Sequence, residues 1–259
     1  MAEMLPEVQS LPEEFSLSSK LAVLLTVVLI QLAAFAQSKV DHSRFNDVLK
    51  HYVVHGAVDY SAIKKDKRFA GYLKAISAVK PSEIKDEKER LVFWINAYNA
   101  YTIKLILDNE PVKSIRDIKQ GNTDAWDIVW IEIGGTKYSL NQIEHEVIRK
   151  EFDEPRIHMA LVCAAKSCPP LRSEAYDSKR LDAQLDDNSA LFLLDKSKNR
   201  FEKESNTLFL SELFNWYGSD FVKKYGSAEK FSLTMMGLAG TKPTAVKYLP
   251  YDWSLNATQ

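Results

Sequence analysis

Ile157-His158-Met159-Ala160-Leu161-Val162-Cys163-Ala164-Ala165-Lys166-Ser167-Cys168-Pro169-Pro170-Leu171 is the stretch whose reading decides the fold. Its first part, residues 156–162, is a short apolar run behind Pro155 and reads as a buried β-strand. Its second part, with Lys166, Ser167 and two prolines, reads as a tight loop. Both cysteines of the chain and one of its five histidines lie here. Reactive side chains on a short apolar support are the usual construction of a site. Any chemistry is therefore expected in this stretch.

Upstream, residues 82–107 read as one long helix with Ser82 as N-cap and acidic residues in the first turns. Its second half, Leu91-Val92-Phe93-Trp94-Ile95-Asn96-Ala97-Tyr98-Asn99-Ala100-Tyr101-Thr102-Ile103, is apolar on nearly every side, the mark of a helix buried on most faces. Asn96 and Asn99 are three residues apart and share one stripe of that helix. Each must pin neighbouring backbone or face a polar cleft, because an unpaired buried amide costs roughly 1–3 kcal/mol. Before this helix, Phe45, Val48, Leu49 and Tyr52 recur at helical spacing, and a second helical pattern runs from Asp59 through Phe69, Tyr72, Leu73 and Ile76. After it, residues 127–133 and 137–139 flank Gly134-Gly135 as a β-hairpin. A helix over residues 141–151 carries Glu144 and His145. Downstream come a helix over residues 178–194, a hairpin around Ser205-Asn206, a short helix capped by Ser211, and a helix over residues 227–236. The tail, residues 248–256, reads as a closing strand, since aromatic residues in a terminus usually dock. Hairpins and helices alternate without a βαβ rhythm, so the expected fold is α+β, with short antiparallel strands in a single domain.

The chain has 259 residues, 46% hydrophobic and 27% charged, with a net charge of −1. Near-neutral charge and the lack of a basic cluster interleaved with aromatics argue against nucleic acid as a partner. Residues 21–36 are an almost unbroken apolar run after Lys20. They end in Ala34-Phe35-Ala36, a small-x-small signal-peptidase pattern, and the run is shorter than the roughly 20 residues of a membrane span. The expectation is a signal peptide over residues 1–36, export to the periplasm or the exterior, and a mature domain. That domain divides into an N-terminal helical part (37–80) and a core (81–259). Glu3, Glu7, Glu13 and Glu14 make the leading segment acidic where a signal is normally basic, so an uncleaved N-terminal anchor is the alternative and the one membrane contact considered. Export would place the cysteines in an oxidising compartment.

Five separate motifs resemble a known family. They are Phe93-Trp94-Ile95-Asn96-Ala97-Tyr98-Asn99-Ala100, Ile143-Glu144-His145, and His158-x-Ala160-Leu161-x-Cys163 with Ser167-Cys168-Pro169-Pro170. The last two are Leu210-Ser211-x-Leu213-Phe214-x-Trp216-Tyr217 with Asp220-Phe221, and Tyr251-Asp252-Trp253-x-Leu255-Asn256. In this order they resemble the domain-of-unknown-function 547 family. The resemblance implies one domain over most of the mature chain and leaves the activity unassigned.

Two functional readings follow from the residues. In the first, Cys163 is a thiol nucleophile. A thiol of ordinary pKa is only a few per cent ionised at neutral pH and needs a base or a cation beside it. His145 and His158 are the candidate bases and Glu144 or Asn96 the orienting group, as in thiol-enzyme triads, with Asn99, Lys166 and Cys168 lining the site. The chemistry would be hydrolysis or transfer at an acyl or amide centre. In the second, the domain binds or scaffolds without catalysis, a Cys163–Cys168 disulfide staples the loop, and the asparagines pin backbone. The partner in either case is a small molecule or peptide of unspecified kind. A C-x4-C pair without further cysteines does not read as a zinc site, and no metal or cofactor is expected.

Overall fold

The computed structural model describes residues 40–258; the expected signal or anchor segment lies outside the described residues. The described chain begins with α1 (Ser43–Tyr52), which buries Phe45, Val48 and Leu49. A two-residue hairpin, β1 (Val53–Val54) and β2 (Ala57–Val58), turns the chain into α2 (Tyr60–Lys65) and α3 (Lys67–Ser77). Asp59 and Asp66 cap these two helices through their side chains. Their inward faces join one core with α4 (Glu87–Asn109).

The long helix α4 is buried from Leu91 to Ile103 on every side. It starts later than the sequence suggested. Residues Pro81–Glu83 form a separate 3-10 turn, and Asp86 is the cap, accepting the Glu89 N–H at 2.8 Å. Ser82 lies inside that turn and cannot cap the helix. Two short hairpins follow, β3 (Lys119–Gln120) with β4 (Thr123–Asp124), and β5 (Ile131–Ile133) with β6 (Thr136–Tyr138). The turn of the second is Gly134-Gly135, both at positive φ (59° and 82°), which a two-residue hairpin of right-handed twist requires.

The expected helix over residues 141–151 is a π-helix, Gln142–Ile148, running into one α-turn, α5 (Arg149–Glu151). The expected strand over residues 156–162 is absent. Residues Pro155–Met159 form a 3-10 turn instead, with Pro155 at its start and the Glu154 side chain accepting the Arg156 N–H. A continuous apolar run does not distinguish a strand from another buried segment; here helices, not strands, cover it.

The C-terminal part begins with α6 (Leu181–Leu194). It continues with β7 (Arg200–Glu202), β8 (Thr207–Ser211), α7 (Glu212–Tyr217), α8 (Val222–Tyr225), α9 (Ala228–Met235) and β9 (Ala245–Leu249). β7 pairs antiparallel and β9 parallel with β8. The expected closing strand is thus displaced: β9 lies earlier, and residues 250–257 run on as an irregular strap. Phe192, Phe214, Phe221 and Phe231 anchor a second, aromatic core. The segment around residues 157–162 lies between the two cores, with Met159 in the second and Ile157, Ala160, Leu161 and Val162 in the first. The architecture is a single α+β domain. Among the described residues no helix is long and apolar enough to cross a membrane.

A Cβ at Gly134 would sit 2.7 Å from the Val79 carbonyl oxygen, while one at Gly135 would meet open space. Gly134→Ala should therefore cost about 2–3 kcal/mol, and Gly135→Ala only the roughly 1–2 kcal/mol of a left-handed non-glycine residue. Urea midpoints of the two variants check the order.

Candidate functional site

The irregular segment after Met159 has no strand or helix partner for its backbone, so side chains supply one. Asn99 on α4 donates from Nδ2 to the Ala160 carbonyl (2.9 Å) and accepts the Val162 N–H on Oδ1 (3.0 Å). Asn188 on α6 donates to the Met159 and Pro170 carbonyls. Asn96 makes the same double bond to the N–H and C=O of Tyr176. Arg156 bonds to Glu154 and reaches Asp182 and Asp186 on α6, fixing the 3-10 turn from its other side. Asn96 and Asn99 are thus backbone pins, and Asn99 acts directly on the cysteine segment.

The loop after Cys163 is held by the C-terminal strap. Lys166 N–H donates to the Ser254 carbonyl, Ser167 N–H to the Asp252 carbonyl, and Asn256 N–H to the Ala164 carbonyl. Ala164 has φ of +60°, a left-handed conformation for a residue with a side chain. Such strain is held only by surroundings that over-determine it, and it concentrates at functional sites. The strap brings Tyr251 and Trp253 beside the cysteines.

Cys163 and Cys168 are free thiols, not the closed ring of the stapled reading. Cys168 Sγ accepts the Cys163 N–H at 3.2 Å and the Tyr251 hydroxyl at 3.2 Å. Cys163 Sγ lies 3.6 Å from the same hydroxyl. Burial works against ionisation of Cys168, but hydrogen bonds from Cys163, Tyr251 and the loop backbone outweigh it and lower its pKa. The hydrogen bond to Cys168, together with burial, raises Cys163 well above the usual thiol range. The two thiols are thus unlike: Cys168 gives up its proton more readily than Cys163. Burial, then the charge of the two sulfurs, raises Tyr251, which keeps its hydroxyl a donor.

The expected imidazole base does not sit on a sulfur. His158 Nε2 is 2.8 Å from Asp220 Oδ2, its Nδ1 faces Glu144 Oε1 at 3.9 Å, and its ring stacks on Tyr217 at 4.1 Å. Asp220 is clamped by both Nε and Nη2 of Arg149, each at 2.7 Å. Burial would raise the Asp220 carboxyl, yet hydrogen bonds from His158 and Arg149 hold it well below the usual range. His145 contacts the Arg149 guanidinium at 3.2 Å through Nδ1. Glu144 is buried on the π-helix and hydrogen-bonds the hydroxyls of Tyr98 and Tyr217; both phenols are raised, by burial first and then by the Glu144 charge. The Lys166 side chain points to solvent.

A cleft of about 350 Å³ gathers Glu144, His158, Cys163 and Cys168 in one lining. Trp126, Trp216, Tyr251 and Trp253 form an aromatic wall on it, and Tyr98 and Tyr217 also contribute. Of the residues singled out in the sequence, these four acid, imidazole and thiol groups come together. Asn96, Asn99, His145 and Lys166 stand outside the lining. Tyr98, Tyr217, Asp220 and Tyr251 were missed as site residues, although all four belong to motifs quoted above. Pairing each of those polar groups with the cysteine stretch needed a tertiary contact that spacing does not carry.

Comparison with known proteins matches residues 81–193 to the model of a family described as "Protein of unknown function, DUF547". This supports the resemblance drawn from the motifs. The matched stretch contains Glu144, His158 and both cysteines; Tyr217, Asp220, Tyr251 and Trp253 lie beyond it. No curated protein and no solved structure matches the chain.

Asn99→Ala would orphan two buried backbone groups at roughly 1–3 kcal/mol each, so a loss of about 2–5 kcal/mol is expected, with faster hydrogen exchange at the Val162 amide. Asp220 sets a pH dependence. Its folded pKa is lowered, so its contribution is present above the unfolded carboxylate value of roughly 4 and is lost as pH falls through the folded value. Asp220→Asn should cost about 1–3 kcal/mol at neutral pH and flatten the acid limb of melting temperature against pH.

Proposed function

We propose that the cleft performs thiol chemistry on an acyl or amide carbon, making the protein a hydrolase or an acyl transferase. The observation that carries the reading is the Cys163–Cys168–Tyr251 cluster at the base of the aromatic cleft. Cys163 is the more exposed residue of the pair, and Cys168 is buried, 3% exposed. The Cys163 S–H proton passes to the Cys168 thiolate as the Cys163 sulfur forms its bond to the carbonyl carbon. The bond to the leaving group then breaks, and that group takes the proton from Cys168. Water or a second nucleophile resolves the acyl-enzyme and restores the Cys163 thiol. The pair thus does the work that a cysteine and an imidazole do in other thiol enzymes.

Glu144 is the group placed to accept a proton from the resolving nucleophile. Two tyrosine hydroxyls hold it, and His158 stands beside it. His158 is a positioning residue in this scheme, fixed by Asp220 and by the Tyr217 ring. A π-helix carrying a buried carboxylate supports the reading, because π-helical turns persist most often at functional positions. The substrate is a small molecule or peptide, and export of the protein is part of the same proposal.

An activated ester such as p-nitrophenyl acetate tests it. A stoichiometric burst is expected, with the acetyl group on Cys163 by mass spectrometry. Cys163→Ser should lower turnover by at least about a thousand-fold while leaving the melting temperature nearly unchanged. Acetylation confined to surface lysines, or turnover that survives Cys163→Ser, would overturn it and leave a binding domain.

A further inference from the structure

The charge and surface of the cleft point to the class of molecule it takes. Trp216, Tyr251 and Trp253 are mutually packed, with ring centroids 4.6–5.8 Å apart. Trp126 meets Trp253 edge-on at 5.6 Å. Trp216 is 44% exposed, so this wall is open to a ligand. Three carboxylates, Asp124, Asp127 and Glu144, share the lining, and neither lysine nor arginine is part of it.

The partners of those carboxylates decide the sign. Asp124 has Lys119 at 3.4 Å. Asp127 accepts from the neutral Asn141 amide at 2.7 Å, and Glu144 is held by tyrosine hydroxyls. Two guanidiniums stand nearby: Arg149 is clamped to Asp220 and lies over the Tyr217 ring at 5.2 Å, and Arg116 lies over one face of the Trp253 ring at 5.4 Å, a contact of the kind a ligand cation would make. Asp127 with its neutral partner, Glu144 between two phenols and the His158 ring (Nδ1 at 3.9 Å), and the electron-rich aromatic faces together make a surface that favours a diffuse positive charge. A neutral sugar or an apolar ligand would gain from the rings but leave the carboxylates uncompensated.

We infer that the cleft binds an organic cation, a quaternary ammonium or guanidinium group seated on Trp216, Tyr251 and Trp253, with Asp127 and Glu144 as countercharge. The inference rests on the thiol reading for the chemical step, in which the cation positions an attached acyl or amide carbon over Cys163. It does not rest on that reading for binding. Compact ammonium ions are strongly hydrated, whereas methylated and guanidinium cations shed water more readily onto rings.

The test compares charged probes with neutral isosteres by tryptophan fluorescence. Choline is set against 3,3-dimethylbutan-1-ol, and ethylguanidinium against ethylurea. At least one cation should bind saturably and about ten-fold or more tightly than its isostere, a preference that falls with added salt. Trp216→Ala and Asp127→Asn should each weaken the cation several-fold, with Asp127→Asn leaving the neutral isostere unchanged. Equal binding of a cation and its isostere, no saturable change with either cation, or indifference to both substitutions would overturn the inference. The same titrations in Cys163→Ser separate the two proposals. Cation binding there, without ester turnover, upholds this inference whatever becomes of the thiol mechanism. Ester turnover in the native chain without cation binding leaves the mechanism and removes the substrate class.

Discussion

A buried stretch of backbone outside regular secondary structure must be satisfied by its own turns and by side chains, and the structure depends on that constraint between Met159 and Cys163, where the Ala160 and Leu161 N–H groups turn back to the Ile157 carbonyl and side chains hold Met159, Ala160 and Val162. Asn99 and Asn188 supply the bonds from two helices that belong to different parts of the fold. Each unsatisfied amide or carbonyl in this position would cost roughly 1–3 kcal/mol, a large share of the stability of an ordinary domain. The amides therefore do more than tie a loop. They fix the path that carries His158 and Cys163 between two hydrophobic cores, and they do so from rigid helices. A site built this way is pre-organised: neither sulfur has to find its position when a ligand arrives.

The C-terminal strap adds the second half of the site. Its hydrogen bonds to Ala164, Lys166 and Ser167 hold the left-handed kink at Ala164 and deliver Tyr251 to Cys168. A second connection runs through Arg149, Asp220 and His158, joining the turn that follows the π-helix to the region after α7. Charge is arranged with some economy. The Arg149–Asp220 pair is internally neutral, so the negative character of the cleft comes from Asp124, Asp127 and Glu144. Burial alone would suppress ionisation at the cysteines; hydrogen bonds from Cys163, Tyr251 and the loop backbone reverse that for Cys168, while the bond to Cys168, together with burial, increases the hold of Cys163 on its proton.

The helices were legible in the sequence because their apolar periodicity and caps are local signals. The stripe of Phe45, Val48 and Leu49 is buried as its spacing implied, and Gly134-Gly135 turns a hairpin as its conformational freedom implied. The start of α4 was misplaced because Ser82 and Asp86 are both good caps, and the choice rests on the 3-10 turn between them. Residues 156–162 misled more seriously. An apolar run records burial and not backbone geometry, and what keeps this one from being a strand is the set of side-chain amides around it. The cysteine stretch, singled out from its residue types, lies on the cleft that Glu144 and His158 also line. The partner assigned to it was not visible, since Tyr251 lies 83 residues from Cys168 and nothing local marks the contact. Histidine was the natural guess for a base beside a thiol; Asp220 and Tyr217 hold His158 away from that role.

The thiol chemistry requires that Cys168 ionise before Cys163. Titration of the ultraviolet thiolate band against pH, in the native chain and in Cys168→Ser, tests it most directly. One thiolate is predicted to form below the ordinary thiol range of roughly 8–9, and to be lost in the variant. Two thiols ionising together at or above that range, or an early thiolate that survives Cys168→Ser, would contradict it.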